Sequence, residues 1–214
     1  MRLILLGPPG SGKGTQAQLL RDRQALVHIS TGDILREAIR LGTAAGKKAE
    51  GFMTQGQLVP DDLVNEIIAD RFRRDDRPTR FLMDGYPRTL PQAAAFDAML
   101  RQQFLDLTGV VVLRVNDQDI VDRLSGRWIC PKCQRPYHAK GNPPKQPGVC
   151  DDDGAKLVQR ADDNEGTVRK RLEAYLRQTA ELIPHYARQG LLREIAGTGD
   201  IEAIYQKIAA ALGV

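Results

Sequence analysis

The chain has 214 residues, 42% of them apolar, enough for one ample domain with small insertions and a core that needs no covalent staple. Its net charge of +4 is mild and no block of five or more like charges occurs, which excludes a nucleic-acid-coating tail and suits a binder of anionic small molecules. There is no run of about 18 apolar residues and no signal-peptide pattern ahead of the first strand, so a soluble cytoplasmic protein without a membrane partner is expected.

In chain order, the apolar run Leu3 to Leu6 leads straight into Gly7-Pro8-Pro9-Gly10-Ser11-Gly12-Lys13-Gly14-Thr15. This reads as a strand running into a phosphate-binding loop. Glycines at 7, 10, 12 and 14 let the backbone curl so that successive N–H groups face a phosphate, and the next helix, Gln16 to Gln24, adds its positive end. Lys13 supplies a point charge for the outer phosphates. The P-loop pattern G-x-x-x-x-G-K-[ST] is met except at its last position, where Gly14 stands and the hydroxyl follows at Thr15. Any Mg²⁺ must then be held largely by phosphates, waters and another side chain.

Leu26 to Ile29 reads as a second strand, with His28 a core or edge residue rather than a catalyst, and Ser30-Thr31-Gly32-Asp33 as a capped helix start. A helix from Ile34 to about Leu41 carries Arg36, residues 42–60 read as a small helical flap, and 61–74 has the helical spacing of Leu63, Ile67, Ile68 and Phe72. Phe81 to Gly85 is a buried strand ending in Asp84, which should arrive beside Lys13 and orient Mg²⁺ through water. A helix bearing Gln92, Phe96 and Leu100 follows, then the clearest strand, Gly109 to Val115, and a short helix from Asn116 to Ser125. Residues 127–163 turn to Pro, Gly, Cys, Lys and Asp and read as an inserted lid. Beyond it a long helix to about Ala187 points Val168, Leu172, Tyr175, Leu176 and Leu182 at the core, with Pro184 kinking its last turns. A last strand, Leu191 to Ile195, and a terminal helix, Ile201 to Leu212, close the chain. Strand–helix units repeated five times, with two insertions, predict an α/β fold: a doubly wound five-stranded parallel sheet flanked by helices.

The lid carries Cys130-x2-Cys133, sixteen residues, then Cys150-x2-Asp153, the spacing of a structural zinc site with a carboxylate in place of the fourth sulfur. Asp151, Asp152 and His138 are alternative fourth ligands, and a lid held by hydrogen bonds without metal is the competing explanation. The set would accept iron or cobalt as well as zinc.

Gly7 to Thr15, Thr31-Gly32-Asp33 with Arg36, Asp84 to Arg88 with Gln92, and Arg160 followed by Asp162-Asp163 and Arg171 together resemble adenylate kinases of the long-lid bacterial type, over essentially the whole chain. The resemblance implies a P-loop core (1–29, 60–125, 164–214), a monophosphate-binding flap (30–59) and a lid (126–163), with reversible transfer from Mg·ATP to AMP giving two ADP by a monomer. It places ATP on Gly10, Ser11, Gly12, Lys13, Gly14 and Thr15, with Arg123, Arg127, Pro136, Tyr137 and Gly199. It places AMP on Thr31, Arg36, Gln57, Leu58, Val59, Gly85, Tyr86, Pro87, Arg88, Gln92, Arg160 and Arg171. Some bacterial members carry a zinc lid with this ligand set.

The chemistry agrees. Phosphoryl transfer through a loose transition state needs charge neutralisation and alignment, which Lys13, Mg²⁺, Asp84 and the forked guanidiniums of Arg88, Arg127, Arg160 and Arg171 supply without a general base. Gln92 suits an adenine edge because its amide donates and accepts at once. Asp162 and Asp163 either hold these arginines or cap the next helix. Competing functions are a UMP/CMP or GMP kinase of the same fold, a zinc-containing nucleic-acid-binding module, and a nucleotide-dependent switch.

Overall fold

The computed structural model describes residues 1–139 and 141–214. Five parallel strands form the main sheet: β1 (Arg2–Leu6), β2 (Val27–Ser30), β3 (Phe81–Asp84), β4 (Gly109–Arg114) and, last in the chain, Leu192–Ala196. The two strands between, β5 (Arg127–Ile129) and β6 (Pro136–His138), pair antiparallel in the lid, so the last strand is β7. The order β2-β3-β1-β4-β7 puts β1 in the centre, with Leu3 beside Leu82 on one side and Gly109 on the other.

Both faces of a parallel sheet are covered by helices, which is why its central strands read as unbroken apolar runs. Alternation divides them. Ile4, Leu6, Met83, Val110 and Val112 face one core, which contains the edge-to-face rings Phe72, Phe81 and Phe96. Leu3, Leu5, Leu82, Val111 and Leu113 face the other, against Leu20, Ile204 and Ile208.

The helices are α1 (Lys13–Gln24), α2 (Thr31–Arg40), α3 (Ala44–Thr54), α4 (Asp61–Arg73), α5 (Leu90–Gln102), α6 (Asp117–Ser125), α7 (Glu165–Ala174), α8 (Leu182–Arg188) and α9 (Ile201–Leu212). Side-chain oxygens of Ser30, Thr43, Thr89, Asn116, Asn164 and Asp200 cap α2, α3, α5, α6, α7 and α9. No helix among the described residues is long and apolar enough to cross a membrane.

Three sequence expectations change. First, α1 begins at Lys13 rather than Gln16, so Gly14 sits in its first turn without the positive φ of Gly7, Gly10 and Gly12. Second, the long helix beyond the lid is interrupted by a π-turn, Tyr175–Thr179, where the Ala180 N–H donates to Tyr175 O at 2.9 Å. The wider turn shifts the helical phase, so Leu176 is 64% exposed and Thr179 is buried instead. Third, Pro184 falls in the first turn of α8, where a missing N–H costs no helical bond, and the break lies ahead of it.

The lid residues have a small cluster of their own, Cys130, Tyr137, Cys150 and Leu157, tied by bridges from Ile129 to Val158 and from Val149 to Lys156.

Candidate active site

The loop between β1 and α1 is shaped by glycine where a side chain would collide. At Gly7, φ is 145° and a Cβ would lie 2.8 Å from Ser11 Oγ and 2.9 Å from Leu113 O. Gly12, at φ 93°, caps α1 without offering a side-chain acceptor, so the first N–H groups of the helix remain for an anion. Lys13 folds back over this loop, its Nζ donating to Gly7 O at 2.7 Å and Pro8 O at 2.9 Å. Burial, only partly offset by Asp84, pulls its ammonium down to about 8.

Strand pairing delivers the neighbouring carboxylate. Asp84 ends β3 in register with Leu5 of β1 and Ser30 of β2, at the carboxyl edge of the sheet. His28 of β2 stands beside it, Nε2 to Oδ2 at 3.4 Å. Burial acts to raise Asp84, but the His28 contact and the charges of Lys13 and Arg88 hold it below the usual carboxylate value. His28 is thus an edge residue in contact with the site.

Arginines arrive from separate segments of the chain. Arg88 is aimed by its Nε bond to Gly85 O, 2.8 Å, and Thr31 Oγ1 donates to the same carbonyl at 2.8 Å. Arg36 and Arg160 both reach Asp33 Oδ1, Arg160 at 3.4 Å. Asp163 accepts Arg127 Nε at 2.7 Å and Arg171 Nη1 at 3.2 Å, and Arg171 also pairs with Asp162 at 3.0 Å. Asp162 and Asp163 therefore hold the arginines, and Asn164 caps α7. Arg123 Nη1 lies 3.5 Å from Ser11 O.

Burial, then neighbouring guanidiniums, press Arg88 and Arg160 below their ordinary values. Among the described residues, Nε of Arg36 and Nε of Arg160 are buried without a hydrogen-bond partner. Cations crowded together with donors unspent are the signature of a site complementary to an anion.

These groups line one cleft of about 710 Å³. Lys13, Arg21, Arg36, Arg88, Arg123, Arg127, Arg160 and Arg171 face it against Asp33, Asp84, Asp162 and Asp200. Gly10, Ser11, Gly12, Gly14, Thr15, Thr31, Gln57, Leu58, Val59, Gly85, Pro87, Gln92, Pro136, Tyr137 and Gly199 line the same cleft. Of the nucleotide-site candidates, Tyr86 alone is not in the wall. Its ring packs on Phe96 at 5.3 Å and its hydroxyl donates to Asn65 Oδ1 at 2.8 Å, so its side chain belongs to the core. Gln92 is held on both sides, Nε2 by Asp61 and Oε1 by the Arg88 N–H.

Wall residues that the sequence does not signal include Asp33 and Gln16. Asp33 reads in the sequence as a helix cap, and its second role depends on an arginine distant in the chain. Gln16, whose Nε2 donates to Ile201 O at 2.9 Å, joins α1 to the start of α9, for which the local sequence carries no signal.

In the lid, ligand atoms of Cys130, Cys133, Cys150 and Asp153 all lie within 4.8 Å of one another. Asp153 Oδ2 is 3.2 Å from Cys130 Sγ, and the sulfurs of Cys133 and Cys150 are 3.5 Å apart. The Lys132 and Cys133 N–H groups donate to Cys130 Sγ at 3.3 and 3.4 Å, as they would to a thiolate. The Ala155 N–H and then the Cys130 thiol pull Asp153 down to about 2, so it is ionised. This donor set fits a closed four-ligand zinc site. Of the other candidate ligands, Asp152 pairs with Arg135 and Asp151 accepts the Lys145 N–H at 2.9 Å; His138 Nδ1 accepts the Gly141 N–H at 3.2 Å.

Comparison with known proteins follows the same pattern. Residues 5–191 match the family model for adenylate kinase. The chain is 50% identical over 212 residues to the adenylate kinase of Trichlorobacter lovleyi, covering 99% of both. It is 47% identical over 213 residues to that of Moorella thermoacetica, covering 100% of this chain and 98% of the relative. With the enzyme of Clostridioides difficile the identity is 46% over 213 residues, covering 100% and 99%.

Proposed function

The chain belongs to the adenylate kinase family, a family of phosphotransferases, and from that premise we propose that it moves the γ-phosphoryl group of Mg·ATP reversibly to AMP, giving two ADP. The observation that carries this is that one cleft is lined both by the P-loop and by Arg36, Arg88 and Gln92. Two phosphate-bearing ligands would meet end to end there.

In this reading ATP lies on Gly10 to Thr15, with Arg123, Arg127, Pro136, Tyr137 and Gly199, and AMP lies on Thr31, Arg36, 57–59, 85–88 and Gln92, with Arg160 and Arg171 closing the phosphate cage. At Tyr86 only the backbone would take part. Lys13 leaves the loop carbonyls for the phosphates, which restore the partner that burial denies it. Arg88, Arg127, Arg160 and Arg171 neutralise the equatorial oxygens and keep donor and acceptor in line. Mg²⁺, bound with ATP, would neutralise charge on the β- and γ-phosphates, and Asp84 would hold its waters because Gly14 offers no hydroxyl.

The flap (30–59) and lid (126–163) would close over the core and exclude water, which otherwise competes as phosphoryl acceptor. Zn²⁺ on Cys130, Cys133, Cys150 and Asp153 would staple the lid and take no part in chemistry, since four protein ligands close it. A cytoplasmic monomer acting in adenine nucleotide balance, without nucleic-acid or membrane partners, completes the proposal.

The experiment is ADP formation from ATP with AMP, UMP, CMP or GMP, with and without Mg²⁺. Fast turnover with AMP that vanishes without Mg²⁺ is expected. Faster turnover with UMP would make this a pyrimidine monophosphate kinase, and ATP hydrolysis without transfer would make it a switch.

A further inference from the structure

Asp61, the first residue of α4, is not part of the cleft wall yet grips a residue that is. Its Oδ1 accepts Gln92 Nε2 at 2.7 Å, and its Oδ2 accepts Thr89 Oγ1 at 2.8 Å. Thr89 is the N-cap of α5 and accepts the Gln92 N–H at 3.2 Å, so Asp61, Thr89 and Gln92 form one closed set. On the far side of the amide, the Arg88 N–H donates to Gln92 Oε1 at 2.8 Å. Gln92 is only 2% exposed.

A carboxylate only accepts and a backbone N–H only donates. Between them they decide which end of the Gln92 amide is nitrogen and which is oxygen. Turning the amide over would set Oε1 against the carboxylate and Nε2 against an N–H, losing both bonds. An unheld glutamine amide is nearly symmetric in shape and turns to suit either kind of partner.

A primary amide has two hydrogens and two lone pairs, of which Asp61 and Arg88 take one each. One N–H and one lone pair remain on a planar group of fixed polarity. The edge of adenine offers an exocyclic amine that donates beside a ring nitrogen that accepts. A 6-oxopurine inverts the order, with an oxygen that accepts beside an N–H that donates. Only an amide turned over would pair with it.

We propose that Asp61 is a positioning residue for base specificity: by holding the polarity of the Gln92 amide, it makes the acceptor side select a 6-aminopurine monophosphate over a 6-oxopurine one. The proposal rests on Gln92 reading the acceptor base.

The test compares AMP and IMP, which differ at this edge, as acceptors for the full-length enzyme with ATP as donor. Asp61→Ala lowers the AMP:IMP ratio of kcat/KM by about tenfold, the scale set by an unmatched polar group in a binding site, mainly through KM for AMP. KM for ATP stays within about twofold, which a general loss of structure would not allow. Asp61→Ser, whose oxygen is too short to reach Gln92 but which suits a helix start, behaves like alanine and replaces it should the alanine variant not fold. Asp61→Asn retains an acceptor for Nε2, with the Thr89 hydroxyl turning to accept, and keeps the ratio within about threefold of the parent.

A parental ratio in both Asp61→Ala and Asp61→Ser overturns the proposal, as does an asparagine variant as unselective as alanine. Gln92→Leu separates the premise from the inference. An unchanged KM for AMP in that variant removes Gln92 as the base reader, whatever Asp61 does.

Discussion

One oxygen of Asp33 joins two segments of the cleft: Oδ1 accepts Arg36 from the next turn of α2 and stands 3.4 Å from Nη2 of Arg160, at the far end of the lid segment. The carboxylate holds both guanidiniums while leaving the Nε of each unspent. Asp33→Ala leaves two part-buried cations without their shared anion, a loss of about 1–3 kcal/mol in organisation. KM for AMP is expected to rise about tenfold, with KM for ATP little changed. Steady-state kinetics in both substrates checks this, and an equal rise in both constants would contradict it.

Lys13, lowered to about 8 by burial, predicts opposite pH effects on stability and binding. In the free protein its charge is unfavourable. Between about pH 8 and the ordinary value of 10.5 the unfolded chain binds more protons at this group, so its contribution to stability rises with pH through that window. Phosphate needs the charged form, so ATP affinity is expected to fall above about pH 8 and to level off below it. Titration calorimetry with ATP from pH 7 to 9.5 measures this, and a flat profile refutes the assigned charge. Lys13→Ala is expected to cut kcat by at least about a hundredfold with the melting curve intact.

Asp84 remains ionised in the site, held by His28, Lys13 and Arg88. Asp84→Asn keeps its shape and removes its charge, so the Mg²⁺ concentration giving half-maximal activity is expected to rise about tenfold or more while AMP binding without metal stays unchanged. An unaltered Mg²⁺ dependence would remove Asp84 as the metal-orienting residue.

Among the described residues the lid's buried cluster has four members, two of them cysteines. A bound metal would therefore carry much of its folding free energy. Protein purified without chelator or affinity tag is expected to contain about one zinc per chain, and both Cys130→Ser and chelation should lower the melting temperature of the lid transition. An absence of metal, with freely titrating thiols, would leave the lid to its hydrogen bonds and remove zinc from the account.

Much of the fold was legible because local pattern decides it. The apolar runs at β1, β3 and β4 and the capped helix start at Ser30 are read from neighbouring residues alone. Leu176 went the other way, since its apolar character fits a regular helix and only a π-turn rotates it outward. Tyr86 likewise lies inside a recognisable motif, but its ring is claimed by Phe96 and its hydroxyl by Asn65.

By itself the sequence determined the parts whose chemistry is confined to a few consecutive residues: the glycine-shaped phosphate loop with Lys13, the cysteine knuckles of the lid, and the alternation of strands and helices. Only the tertiary structure decided which charges meet. Strand order sets Asp84 beside His28, and the return of the chain after the lid brings Arg127, Arg160 and Arg171 to Asp163 and Asp33. Asp61 illustrates the difference: in the sequence it is an acidic residue at a helix start, favourable there for its charge, and in the fold it holds the amide of a residue thirty-one positions away. Hydrogen bonds and ion pairs act over a few ångströms in space, and spacing along the chain sets that distance only within one element.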